Sequence, residues 1–314
     1  MKKFTKYFLL IALILLATGL IISLFYIRLV YHSFVASESS FSNLFVQIID
    51  KFSQDEPAPV IIPKPEETIQ TLEGWTMRDI GQYLETRGLY KNEDFLNVTG
   101  FPQIDYRNNQ EKPSLNDFST KFSFLDDKPK YYGLEGYLFP DTYRIYASST
   151  ITEVIEKMLT NFDKKLTAQM RADIKAQGKT IYEIITLASL VEKEAPIDYQ
   201  TSDDRDARII AGIFLNRLHI GQGLQSDATL SYIYGDNKPA HTGAELENSS
   251  LYNTYKYRGL PPGPICNPGI LAIKAAIYPI ITEYNYFLTP KGKDTVVYAR
   301  TYQEHLENKY KYLK

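Results

Sequence analysis

Two glutamates, Glu192 and Glu194, close the long apolar run TIYEIITLASLVEKE, where a carboxylate either has a structural partner or moves a proton. On a helix turning about 100° per residue, Lys193 points to the polar side. Glu192 and Glu194 fall on opposite edges of the apolar arc formed by Ile181, Ile184, Ile185, Leu187, Ala188, Leu190 and Val191. A half-buried carboxylate is costly unless it has a partner or a task. Near a helix C-terminus the backbone dipole disfavours negative charge as well, so on this helix alone a salt-bridged role stands ahead of a catalytic one.

The elements that must hold these carboxylates announce their ends. Thr180 followed three residues on by Glu183 forms a capping box, and Pro196 stops the pattern. A second helix is expected after Ser202, with Asp203, Asp204 and Asp206 suiting its N-terminus; Ala207, Ile210, Ala211, Phe214 and Leu218 recur at helical spacing until Gly221. Asn216 and Arg217 form a polar pair near its end, able either to cap the helix or to face a ligand.

Composition excludes several classes of protein. A formal net charge of -2 argues against a nucleic-acid partner, and a single cysteine rules out an internal disulfide and any cysteine-based metal cage. The four histidines, His32, His219, His241 and His305, are scattered without a His-Glu-x-x-His pattern, so no metal site is expected. There is no phosphate-binding glycine loop and no Gly-x-Ser-x-Gly elbow, so no cofactor is expected either. The 25 tyrosines suit sugar-stacking surfaces and plain packing equally.

Taken in order, the chain opens with an uncharged run from Tyr7 to Ile27, long enough to span a bilayer's hydrocarbon core. Lys2, Lys3 and Lys6 precede it and only Arg28 follows before Lys51, which places the N-terminus in the cytoplasm and the remainder outside. The run exceeds a usual signal-peptide core and lacks a good small-x-small site, so an uncleaved anchor is favoured over a cleaved signal. Phe41, Leu44, Phe45, Ile48, Ile49 and Phe52 share one face of a short amphipathic helix, and PAPVIIPKP then forms a semi-rigid spacer.

A strand over Thr68 to Glu73, a helix capped by Thr76 and Asp79, and a second short helix from Asn92 to Gly100 resemble a LysM-like peptidoglycan-binding module. Residues 103 to 130 are polar and poorly patterned, as in an inserted loop or linker. YYGLEGYLFPDTYRIY reads as strand broken at Pro140-Asp141, with a helix from Thr152 to Leu166 behind it. Further on, Asn267-Pro268 is expected to open a helix with Asn as its cap, NYFLT and TVVYA to pair as a hairpin about Pro290 to Lys293, and Thr301 with Glu304 to cap a terminal helix.

EGYLFPDTY, LASLVEKE, IFLNRL, LQSDATL, YNTY and GLPPGPICNPG, in that order from Glu135 to Gly269, resemble the signature of the endolytic murein transglycosylase, or YceG-like, family. The resemblance implies that Glu194 is the catalytic acid and that the reaction is lytic cleavage of the bond from N-acetylmuramic acid to N-acetylglucosamine. One carboxylate suffices for that chemistry because the nucleophile, the muramic acid C6 hydroxyl, is already in the substrate. Its product is a 1,6-anhydro end, and the activity would terminate nascent strands. Residues expected to contact the sugar are Glu135, Tyr137, Asn216, Gln225, Asp227, Tyr252, Asn253 and Tyr255; the alternatives are core packing for the tyrosines and a helix cap around Asp227. The sequence departs from the family where Asp206-Ala207 stands for a usual Glu-Arg, in the 103 to 130 segment and at Cys266-Asn267.

The expected fold class is therefore α+β: a cytoplasmic tip and transmembrane helix (1-28), a proline-rich stalk (29-65), a LysM-like module with linker (66-130) and a mixed α+β YceG-like catalytic domain (131-314). Its expected partners are peptidoglycan glycan strands and the membrane it spans once, with peptidoglycan synthases as candidates. Two rivals remain open: a muramidase-type hydrolase using Asp227 or Asp206 as a second carboxylate, and a non-catalytic wall-binding protein.

Overall fold

The computed structural model describes residues 2-53, 66-108, 115-236, 238, 240-290 and 295-313. The Pro-rich spacer and the tip of the expected C-terminal hairpin lie outside them, as do residues 109-114 of the expected insertion. The chain divides into two units, Met1–Pro63 and Lys64–Lys314.

The described residues of the first unit form a single helix, α1 (Lys2–Ser53). The apolar span lies at Leu13–Ser33, with a mean hydropathy of 2.3, and is the one stretch among the described residues long and apolar enough to cross a membrane. The amphipathic segment expected near Phe45 is a continuation of the same helix.

The second unit begins with β1 (Glu66–Gln70), α2 (Met77–Thr86) and α3 (Asn92–Thr99). The capping box expected at α2 is present, with Thr76 Oγ1 accepting from the Asp79 N–H and Asp79 reaching back to Thr76 N. The strand partner of β1 comes from far along the chain: β2 (Thr142–Tyr146) pairs with it antiparallel, Glu66 opposite Tyr146 and Gln70 opposite Thr142. Of the expected strand-like YYGLEGYLFPDTYRIY, only this last part is strand. The polar stretch before it holds one short turn of 3-10 helix, Ser123–Leu125, yet sends Phe118, Phe122, Phe124 and Leu125 into the core. Phe118, Phe122 and Leu125 stand at helical spacing, i, i+4 and i+7, but so short a pattern among polar residues reads as a loop, and no α-helix forms over it.

Then follow α4 (Ile151–Lys165), α5 (Ala168–Ala176), α6 (Ile181–Glu194), α7 (Arg205–His219), α8 (Asp227–Tyr234), the single turn α9 (Gly243–Leu246) and α10 (Ile270–Ile277). The chain ends in a short hairpin, β3 (Tyr286–Leu288) with β4 (Val297–Ala299), and α11 (Tyr302–Tyr312). The α6 helix runs through the centre, packed against α7, α8 and α10, and every residue from Ile184 to Val191 is buried. Small residues Ala272, Ala275 and Ala276 on α10 bring that helix close. Gly212 on α7 does the same for the chain leaving α10, since a Cβ there would lie 2.2 Å from the Ile280 carbonyl oxygen.

Asn267 does not cap α10 as the Asn-Pro pair suggested; Gly269 holds the N-cap position. The Asn267 side chain is instead spent on tertiary contacts. Its Oδ1 accepts from the Gly136 and Leu138 N–H groups at 3.0 and 2.9 Å, and its Nδ2 donates to the Trp75 carbonyl at 2.9 Å.

Candidate active site

Glu194 is the last residue of α6, and the chain turns away at once: Ala195 is extended (φ -91, ψ 139) and Pro196 cannot continue the helix. Its carboxyl meets the N-terminus of α8. Ser226 occupies the N-cap position there but makes no side-chain cap bond. Its hydroxyl donates instead to Glu194 Oε1 at 2.5 Å, and the Ala228 N–H also faces the carboxyl. Burial pushes the Glu194 carboxyl up to about 7, assisted by the nearby Asp227 and opposed by the Ser226 hydroxyl, the Ala228 N–H and the Arg217 charge. The side chain is half-buried.

Ser226 is itself held from behind. Its N–H donates to Thr254 Oγ1 at 3.0 Å, its carbonyl accepts from Thr229 Oγ1 at 2.8 Å, and the two threonine hydroxyls lie 3.0 Å apart. All three residues are buried, so the hydroxyl facing Glu194 has little freedom. Asp227 Oδ1 accepts from the Tyr255 hydroxyl at 2.9 Å, and burial with that partner drives the Tyr255 phenol well above its ordinary range. Gln225, exposed and at φ 51, begins the turn into α8. Arg217 is nine-tenths buried, donating from Nε to the Asn285 carbonyl and from a terminal nitrogen to that of Leu224, with Tyr286 beneath it (5.3 Å).

The structure thus gathers Glu194, Gln225, Asp227 and Tyr255, and puts the other sequence-selected residues to structural use. Tyr137 is wholly buried between Phe124 and Phe162, with no face for a sugar. Glu135 is buried too, and burial raises it to about 8; it accepts from the Met77 N–H at the start of α2, from Asn267 and from the Tyr232 hydroxyl. Asn216 donates to the Thr282 and Tyr284 carbonyls, and Asn253 to those of Leu246 and Asn248. Tyr252 packs at a tilt against Tyr232 in the core, 5.2 Å between rings. Each of these five reads as a contact residue in sequence because a polar or aromatic side chain looks alike whether it meets a ligand, the backbone or the core. Ser226, Thr229 and Thr254 escaped notice for the converse reason, since Ser before Asp looks like an ordinary cap.

Glu192, on the other edge of the same helix, is fully engaged. Its Oε2 accepts from the Tyr199 hydroxyl at 2.5 Å and from the Gly269 N–H at 2.9 Å, which anchors the N-terminus of α10. Asp206 is likewise taken, accepting from the Tyr298 hydroxyl at 2.6 Å. Among the described residues, Glu194 belongs to no group of side chains with metal-ligand spacing.

The chain is similar to known proteins over most of its length. The YceG-like family matches residues 38–311. An endolytic murein transglycosylase of Bacillus subtilis is 37% identical over 205 residues, 65% of this chain and 54% of that protein. One from Streptococcus pneumoniae is 31% identical over 272 residues, 83% of this chain and 46% of its own. The chain therefore spans about half the length of the curated relatives it matches. The crystal structure of a yceG-like protein from Listeria monocytogenes superposes with a TM-score of 0.64 at 29% identity, covering 83% of this chain and 80% of that one.

Proposed function

Since the chain belongs to the YceG-like family, we propose that it is an endolytic murein transglycosylase, a lyase that cuts within peptidoglycan strands at the bond from N-acetylmuramic acid to N-acetylglucosamine. The observation that carries this reading is the half-buried Glu194 carboxyl, held near 7 at the end of α6 and faced by Ser226 at the start of α8. In its protonated form Glu194 gives its proton to the departing glycosidic oxygen as the bond to C1 breaks. The carboxylate left behind takes the proton of the C6 hydroxyl as that oxygen bonds to C1. Water takes no part, and the acid is regenerated.

Ser226 and the Ala228 N–H fix the carboxyl's orientation and stabilise it once ionised. Asp227, paired with Tyr255, provides negative charge and acceptor atoms beside the developing oxocarbenium ion. A hydrolase would use Asp227 to activate water. Mass spectrometry of products from purified wall separates the two, because lytic cleavage leaves 1,6-anhydro ends and hydrolysis leaves reducing ends.

The N-terminal helix supports a single-pass anchor, and the Lys2, Lys3 and Lys6 asymmetry supports a cytoplasmic N-terminus with the catalytic region outside. That location would bring nascent strands and peptidoglycan synthases within reach, and cleavage there would terminate strand growth. Protease added to intact spheroplasts is expected to remove the region after Lys64; complete protection would reverse the topology.

The order β1, α2, α3, completed by antiparallel β2 from inside the region 131-314 first expected to be catalytic, supports reading these elements as a LysM-like glycan-binding module that shares one unit with α6. Deleting it would strand Glu135 and Asn267, so surface changes are the better probe. Leu72→Asp, at a side chain 43% exposed, combined with Lys91→Glu, is expected to weaken co-sedimentation with insoluble wall several-fold while turnover of short soluble strands holds. Equal loss in both assays would make the unit a structural support.

A further inference from the structure

Beyond the C-terminal end of α8, three ligand-type side chains converge from positions that sequence spacing leaves unremarkable. Asp236, His241 and Glu245 each offer one ligand atom, and these atoms lie within 4.8 Å of one another. The imidazole is the informative member. Its side chain is 0% exposed and stacks on Tyr234, with ring centroids 6.0 Å apart. Nε2 lies 3.2 Å from Ser231 Oγ, while Nδ1 has no hydrogen-bond partner among the described residues. A buried ring nitrogen left unpaired costs roughly 1–3 kcal/mol, and such atoms usually mark a missing ligand, ion or water. When Nε2–H donates to Ser231, Nδ1 presents its lone pair towards Glu245, whose Oε2 is 3.7 Å away.

The carboxylates are equally prepared. Glu245 is fixed by the α9 capping box, where Oε2 accepts from the Thr242 N–H at 2.7 Å. Its other oxygen lies 2.7 Å from Lys238 Nζ, which is also 3.3 Å from Asp236 Oδ2. A cation thus already stands between the two acids, carried on an exposed and flexible stem.

We propose that Asp236, His241 and Glu245 form a site for a first-row divalent cation of the zinc or manganese type, bound through His241 Nδ1 and one oxygen from each acid. Lys238 swings out to solvent as the ion enters, and water completes the coordination. Metal–ligand bonds of about 2.0–2.2 Å place ligand atoms about 3–4 Å apart, so a small rotation of Asp236 towards His241 and the Glu245 oxygen that Lys238 vacates closes the set. A single imidazole with two carboxylates suits these ions better than a soft one. The ion would brace α8 from its far end, clipping it to α9, and this role does not depend on the reaction assigned to Glu194.

The test uses the full-length, untagged chain in detergent, stripped with chelator and titrated calorimetrically with zinc chloride and separately with manganese chloride. One equivalent is expected to bind with a rise in melting temperature, and cobalt substituted for it should show visible ligand-field bands. His241→Ala should weaken binding by at least about tenfold and Ser231→Ala by about tenfold, the scale of losses around metal-bound imidazoles. Lys238→Ala, a surface change that leaves the fold alone, should tighten binding by removing the competing ammonium. No stoichiometric binding, binding indifferent to His241, or weaker binding in the Lys238→Ala protein would overturn the proposal and make Lys238 the site's permanent occupant.

Discussion

Glu194→Gln is expected to lower release of anhydro-ended muropeptides by about 10²–10⁴-fold or more, the usual cost of losing an acid–base group. The amide keeps the shape and can still accept from Ser226 but can neither give nor take the proton. Glu192→Gln should cost much less activity, because its hydrogen bonds go to Tyr199 and the Gly269 N–H and none goes towards the cleft. Since burial holds Glu194 up at about 7, the protonated enzyme dominates below that pH, and kcat/KM should fall about tenfold per pH unit above it. The stability sign follows from the same shift. A carboxyl whose folded value lies above its unfolded one makes the fold bind extra protons, so stability declines as pH rises from the ordinary carboxylate range to about 7. Glu194→Gln removes that burden and should melt higher than the parent at pH 8, with the difference shrinking towards pH 4. Retention of normal cleavage by the stable Glu194→Gln protein, with loss in Glu192→Gln, would show that the acid has been assigned to the wrong end of the motif.

How far the sequence foretold this site depends on whether the signal was local. Capping boxes at Thr76, Thr180 and Thr301 formed as read, because both partners lie within one turn. The place of Glu194 on the edge of a buried helix was equally legible from the helical period. The pairing of β1 with β2 was not, since the two strands are separated by an irregular segment whose aromatics carry no sustained period. Polar residues whose partners are backbone groups were least legible of all. Glu135, Asn216 and Asn253 bind backbone groups brought near by the fold, and nothing in their neighbours along the chain distinguishes that from binding a sugar.

Asn267 shows the energetic weight such a buried amide can carry. It is 1% exposed, and its side chain joins the loop before α2 to the Gly136–Leu138 turn. In Asn267→Ala the Trp75 carbonyl still accepts from the backbone of residue 267 and Glu135 still accepts from Met77. The Gly136 and Leu138 N–H groups lose their only acceptor among the described residues and stay buried, at roughly 1–3 kcal/mol each. For a unit of this size that predicts a melting temperature lower by on the order of 10 °C. Asn267→Asp separates acceptor loss from simple loss of volume. It keeps an oxygen for the two N–H groups but turns the other arm into an acceptor facing the Trp75 carbonyl and Glu135, which lies 3.3 Å from the present Nδ2. Burial keeps Glu135 protonated up to about pH 8, so at pH 5 a proton bridges the two carboxyls and part of the lost stability returns. At pH 9 both acids are driven to ionise within hydrogen-bond distance, and the Asp variant should melt below the Ala variant. Melting of both proteins within about 2 °C of the parent at either pH would mean that water replaces the amide freely, and that the contact joining these two loops contributes little to the fold.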